Sequence, residues 1–178
     1  MRLRLLSALV LAGMARAFVP HEAAAAPMRV VAPPMSAIEQ VYYRYCDIID
    51  QRTFDQLTEV FTDDCIGDYR STNGKIQEGL APLIAHVTRG MGPGSDCGPT
   101  HHNVCNFRIA VDGDSATSKV HFYAVHEGIN HCAGEHYTCW GEYDDEWTRT
   151  SQGWRVSRRT YRNFLIDGTT DVVRRVRR

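Results

Sequence analysis

The sequence has almost no net charge: 20 lysines and arginines stand against 21 acids, a formal charge of -1 at pH 7. No basic stripe stands out from the acids, which argues against nucleic acid as a partner. The one cationic run, Arg174-Arg175-Val176-Arg177-Arg178, is short and terminal and reads as a solvated basic tail over 169–178. The chain also lacks an apolar stretch of bilayer length, since Leu5 to Met14 is too short to span, so no stable membrane anchor is expected. Neither an internal repeat nor a linker divides it, and 178 residues at 43% hydrophobic read as one globular domain over 35–168. A compact zinc pattern is missing too. His121, His126, His131 and His136 recur at five-residue intervals, but an odd interval on a strand puts successive side chains on opposite faces. A loop group of His131, Cys132, His136 and Cys139 is the arrangement left over, and neither metal nor cofactor is expected.

The six cysteines do not settle the redox compartment: an even count in a secreted chain would suggest disulfides, yet six allow fifteen pairings and a core of this size needs no staples. Cys46, Cys65 and Cys105 fall within apolar faces and read as buried thiols, whereas Cys97, Cys132 and Cys139 fall in or near loops and are the better disulfide candidates. Residues 1–17 have the form of a signal peptide: Arg2 and Arg4, an apolar core, then Ala15-Arg16-Ala17. Phe18-Val19-Pro20 and an acid-poor stretch to residue 34 resemble the second part of a bipartite plastid presequence. Plastid import is therefore expected, with secretion as the alternative.

Ser36 and Glu39 form a capping box, and Ile38, Val41, Tyr42, Tyr45, Ile48 and Ile49 follow at helical spacing, predicting a helix to about Asp50. Thr53 with Gln56 predicts a second, short helix to Phe61, and Leu80 to Met91 a third. From His101 the texture is β. His101–Val111, Ser115–Glu127, Tyr137–Thr150 and Trp154–Ile166 read as strands, with hairpin turns at Asp112-Gly113 and Ser151-Gln152-Gly153. Cys105, Phe107, Ile109 and Val111 share one predicted face. Three helices followed by long antiparallel strands give an α+β fold, a curved sheet closed by helices into a cone with a cavity.

Ala37 to Asp50, Phe54-x-x-Leu57-x-x-Val60-Phe61, Thr100-His101-His102-x-x-x-Asn106, Val111-Asp112-Gly113-Asp114, Gly141-x-Tyr143-x-Asp145 and Gly153-Trp154-Arg155-Val156 together resemble SnoaL-like domains of the nuclear-transport-factor-2-like superfamily. The resemblance implies a cystatin-like α+β barrel. At polar positions it is closest to the scytalone dehydratases, through Asp50 to Leu57 and Asp68-Tyr69-Arg70-Ser71. It then implies catalytic roles for Asp50, His102, His126 and Tyr69, and departs from that pattern where Ile49 stands in place of a tyrosine.

The chemistry is coherent from below. A carboxylate fixes the tautomer of an imidazole and raises its basicity, so Asp50 would orient His102, with His126 a second acid or base and Tyr69 a hydrogen-bond donor. Tyr45, Ile49, Phe122 and Trp140 are expected to line the pocket. The function expected is a cofactor-free lyase, dehydratase-like, or an isomerase acting on a small apolar oxygenated molecule. The alternative is a non-catalytic binding or assembly module. A homodimer is expected by analogy with the family.

Overall fold

The computed structural model describes residues 36–174; the expected leader over 1–34 and the final four residues of the basic tail lie outside the described residues. Helix α1 spans Ala37–Gln51, and its start is set by the predicted box: Glu39 N–H donates to Ser36 Oγ, and Ser36 N–H to the Glu39 carboxylate. Its apolar stripe, Tyr42, Tyr45, Cys46, Ile48 and Ile49, is buried. Phe54–Glu59 is a 3-10 helix rather than the expected α-helix. Thr53 makes no capping bond there, and its hydroxyl is buried without a partner among the described residues.

The strands are β1 (Phe61–Asp68), β2 (Ile76–Glu78), β3 (Cys97–Asp112), β4 (Ser115–Gly128), β5 (His136–Thr150) and β6 (Gly153–Gly168). A one-turn helix α2 (Arg70–Asn73) leads into β2, and α3 (Leu80–Met91) follows it. The fold is α+β, as expected, on one curved sheet of order β2-β1-β6-β5-β4-β3. Two features refine the expected antiparallel barrel. The pair β1–β6 is parallel, making the sheet mixed, and the sheet is open, with β2 and β3 as its edges.

A bulge in β3 decides which residues face inward. The β3–β4 register shifts between Cys105 and Arg108, where Asn106 takes a left-handed φ of 55°. Such a bulge adds a residue and reverses the alternation. Phe107 and Ile109 pack on the core as predicted, but Cys105 is exposed, and His102 and Val104 share the inward face. All six cysteines are free thiols; Cys97 and Cys139 lie in strands, and with Cys132 they are buried. The segment read as a frayed tail begins with a 3-10 helix, Thr170–Val173, whose Val172 is completely buried. No helix among the described residues is long and apolar enough to cross a membrane.

Beneath this architecture lies a dry polar knot. Arg159 and Asp145 are both fully buried, with Arg159 Nη2 2.7 Å from Asp145 Oδ2. Asp145 also accepts from the Tyr42 hydroxyl at 2.7 Å, and Ser118 ties Tyr42 to the Trp147 indole. The guanidinium lies 4.0 Å from the Tyr143 ring centre and 4.4 Å from that of Tyr45.

Candidate functional site

Asp50 is the penultimate residue of α1, and the next turn anchors it to β3. Arg52 takes the left-handed conformation that ends the helix, and its guanidinium donates to the carbonyls of Met91, Cys97 and Gly98. The Asp50 carboxylate therefore meets the start of β3 at a fixed height. It accepts from Thr100 Oγ1 at 2.8 Å and from the His102 backbone N–H at 2.9 Å. His102 Nδ1 lies 2.7 Å from Asp50 Oδ1. Burial works to raise the Asp50 carboxyl, but the bonds from the His102 side chain and backbone and from Thr100 outweigh it, and the net displacement is downward. Asp50 is thus an anion, which assigns a proton to His102 Nδ1.

His102 faces a cavity of about 490 Å3. This size suits a one- or two-ring molecule. His126 and Tyr69 line the same space, as do Tyr45 and Phe122, while Asp50 stands behind His102. The His102 and His126 rings meet edge to face at 5.2 Å between centres. His126 Nδ1 lies 3.0 Å from the Tyr137 carbonyl, its register partner on β5, and so donates to it. Burial, followed by the neighbouring His102, pushes the His126 imidazole down to about 4. His126 is therefore neutral at pH 7, with its one ring proton committed to the Tyr137 carbonyl and Nε2 left as a hydrogen-bond acceptor.

Tyr69 follows β1 and is held by stacking on Tyr161 at 5.3 Å and by the tilted His86 ring at 5.0 Å. A Cβ at Gly67 would lie 2.9 Å from Tyr69 Cε2, so glycine there leaves room for the ring. Burial pushes the Tyr69 phenol well above its ordinary value, and its hydroxyl makes no hydrogen bond among the described residues. It is a free donor.

Two expected lining residues are elsewhere. Ile49 is fully buried in the core between α1 and its neighbours and does not reach the cavity. Trp140 lies tilted against Tyr123, its register partner, with 5.2 Å between ring centres. Their chain neighbours Phe122 and Cys139 line the cavity, so strand alternation turns Trp140 to the opposite face. In exchange the cavity gains Tyr137, Tyr143, Tyr161, Asn163 and His86. Tyr161 and Asn163 were hidden because β6 carries an extra residue twice, opposite Glu146–Trp147 and opposite Trp140–Gly141, so its inward face switches between Val156 and Arg159 and again after Asn163. Gly141 matters to the packing of Phe122, since a Cβ there would fall 2.6 Å from the ring. Of the histidines weighed for a metal, His131 bonds Asp96 and His136 bonds Asp167, and no cluster of three or more metal-ligating side chains gathers among the described residues.

Comparison with known proteins places the chain. Residues 33–160 match the SnoaL-like domain, and the chain belongs to that family. An uncharacterized protein of Mycobacterium tuberculosis is 34% identical over 135 residues, covering 68% of this chain and 80% of that one. A structure from Novosphingobium aromaticivorans, provisionally described as a scytalone dehydratase, superposes with a TM-score of 0.66 at 22% identity, over 75% of this chain and 85% of that one. A hexachlorocyclohexane dehydrochlorinase from Novosphingobium barchaimii superposes at 0.63 and 16% identity, over 75% and 88%.

Proposed function

We propose that this SnoaL-like protein is a lyase that eliminates water from a small cyclic carbonyl compound, with His102 as the proton-transfer group. The observation that carries this reading is the 2.7 Å contact of His102 Nδ1 with Asp50, on an imidazole that faces a cavity lined by tyrosines. In the scheme, His102 Nε2 takes the proton from the carbon beside the carbonyl, and Asp50 stabilises the imidazolium. The enolate oxygen accepts from the Tyr69 hydroxyl. As the carbon–oxygen bond to the β-hydroxyl breaks, His102 returns its proton to that oxygen and water leaves, so the ring is neutral again. His126, neutral with its Nδ1–H on the Tyr137 carbonyl, accepts a hydrogen bond from a substrate hydroxyl through Nε2. Two structural neighbours named for losing water and hydrogen chloride lend support, since both reactions begin at a carbon-bound proton.

The test is a panel of dihydronaphthalenones bearing a β-hydroxyl, followed by the rise of naphthol absorbance, since loss of water gives an enone that tautomerises to the aromatic ring. Turnover of at least one compound is expected, falling by about 10³-fold or more in His102→Gln and in Asp50→Asn. Undiminished turnover in both variants would sink the dyad. A panel that binds without turnover would favour the non-catalytic binding module.

A further inference from the structure

The cavity's interior and its rim differ in charge. No aspartate or glutamate is among the described residues lining it, yet Lys75, Arg89 and Arg174 all are. They reach it from separate elements: Lys75 from the turn between α2 and β2, Arg89 from the last turn of α3, and Arg174 from the end of the 3-10 helix Thr170–Val173. All three are exposed, which places them at the mouth, whereas the side chains of His102 and His126 are buried within. The elements that carry two of the cations touch. A Cβ on Gly90 would lie 3.0 Å from the Val173 carbonyl oxygen, so α3 and the 3-10 helix touch at the residues next to Arg89 and Arg174. Lys75 and Arg89 both act on His86, which lines the same mouth: its imidazole is held below the ordinary value first by burial and then by these two charges.

None of the three cations has a salt-bridge or side-chain hydrogen-bond partner among the described residues, although nine ion pairs of lysine or arginine with acids form elsewhere among them. Asp171 lies on the same 3-10 helix as Val173 but does not line the cavity. The sequence outside the described residues carries a single acid, Glu22. Unneutralised cations on three elements around one opening raise the local concentration of anions.

We infer that the cavity mouth binds an anionic group, and that the natural ligand is a ring compound bearing a carboxylate or comparable acid, its ring among the tyrosines and its anion at Lys75, Arg89 and Arg174. Two guanidinium groups suit this role because their planar donor forks match oxyanions. Calling that ligand a substrate rests on the elimination proposed above; the binding does not.

Titration of the full chain with 2-naphthoate and with 2-naphthamide, which share ring and shape but differ in charge, tests the inference by calorimetry. At low salt naphthoate is expected to bind about tenfold tighter or more, with the advantage shrinking near 0.5 M salt. Lys75→Gln, Arg89→Gln and Arg174→Gln each lose about threefold for naphthoate, and the triple variant brings it to the level of the amide. Naphthamide binding stays unchanged in these variants, which reports an intact cavity. A 2-naphthyl phosphate arm separates acids: tighter binding than naphthoate assigns the mouth to phosphate esters, weaker binding to carboxylates. Naphthoate binding no tighter than naphthamide, including no measurable binding of either, overturns the inference, as does a triple variant that keeps the preference. The same titration on His102→Gln keeps the preference even where catalysis is absent, so the two proposals fail separately.

Discussion

Two carboxylates reach the concave side of this sheet, and their surroundings differ. Asp145 is sealed: its partners Arg159 and Tyr42 are buried, and aromatic rings cover the guanidinium. Asp50 keeps 23% of its side chain exposed, and its main partner is an imidazole whose other nitrogen faces a cavity. Both are well hydrogen-bonded, so satisfaction alone does not mark function. What separates them is whether the partner can still exchange a proton with something outside the protein. Arg159 cannot, because a guanidinium stays charged and this one is enclosed. His102 can. The dry knot gives the inner end of the cone a fixed shape, with the rings of Tyr45 and Tyr143 between it and the cavity.

The largest expected effect breaks the dry half. Asp145→Asn strands the Arg159 charge in the core and is expected to lower stability by about 3–5 kcal/mol in urea unfolding. The double replacement Asp145→Leu with Arg159→Met removes both charges and should recover most of that loss, since desolvating the pair offsets much of its attraction. A single variant within about 1 kcal/mol of the parent would mean that the knot is not a structural element.

The two halves were unequally legible in the sequence. Ser36 and Glu39 announced α1 through a local interaction that needs no tertiary context, and Asp50, His102, Tyr69 and His126 stood in motifs that resemble the family. Arg159 gave no sign, because one arginine in Arg158-Arg159 looks like any solvated charge until the strand's partners are known. Cys105 was read to the wrong side for the same reason. Alternation assigns faces only while the register holds, and β3 slips beside Cys105; β5 pairs with β4 without a shift, and its unbroken alternation turns Trp140 outward. Ile49 was misplaced by analogy, since the helix turns it into the core. His86 and Tyr161 reach the cavity through pairings that no local pattern encodes.

The next effect belongs to the open half. His126 stays neutral in the fold down to about pH 4, against an ordinary value near 6.5 in the unfolded chain. Between these values the unfolded chain binds a proton that the folded one does not, so stability rises with pH across that window and is lost as pH falls. From pH 7 to pH 5 the expected loss is roughly 2 kcal/mol, read as a drop in the urea midpoint. His86 leans the same way, whereas the lowered Asp50 carboxyl acts at more acid pH. His126→Gln should flatten most of the slope and His86→Gln less of it; an unchanged slope in His126→Gln would refute the neutral, desolvated ring.

The smallest effect comes from the same edit made in both halves. Deleting a tyrosine hydroxyl removes one oxygen and little else. The Tyr42 hydroxyl is bonded to Ser118 at 2.8 Å and to Asp145 at 2.7 Å, both buried. Tyr42→Phe leaves Asp145 short of a donor and Ser118 short of an acceptor, and is expected to lower stability by about 1–2 kcal/mol, with turnover of a folded sample little changed. The Tyr69 hydroxyl has no partner among the described residues, so Tyr69→Phe has nothing in the fold to lose. Its expected cost falls on the reaction, about tenfold or more in kcat, because the enolate oxygen loses its donor. Urea unfolding and kinetics on the two variants together give the contrast its sharpest form. If both lose stability and neither loses turnover, Tyr69 is a packing residue and the donor must be sought among Tyr45, Tyr137 and Tyr161.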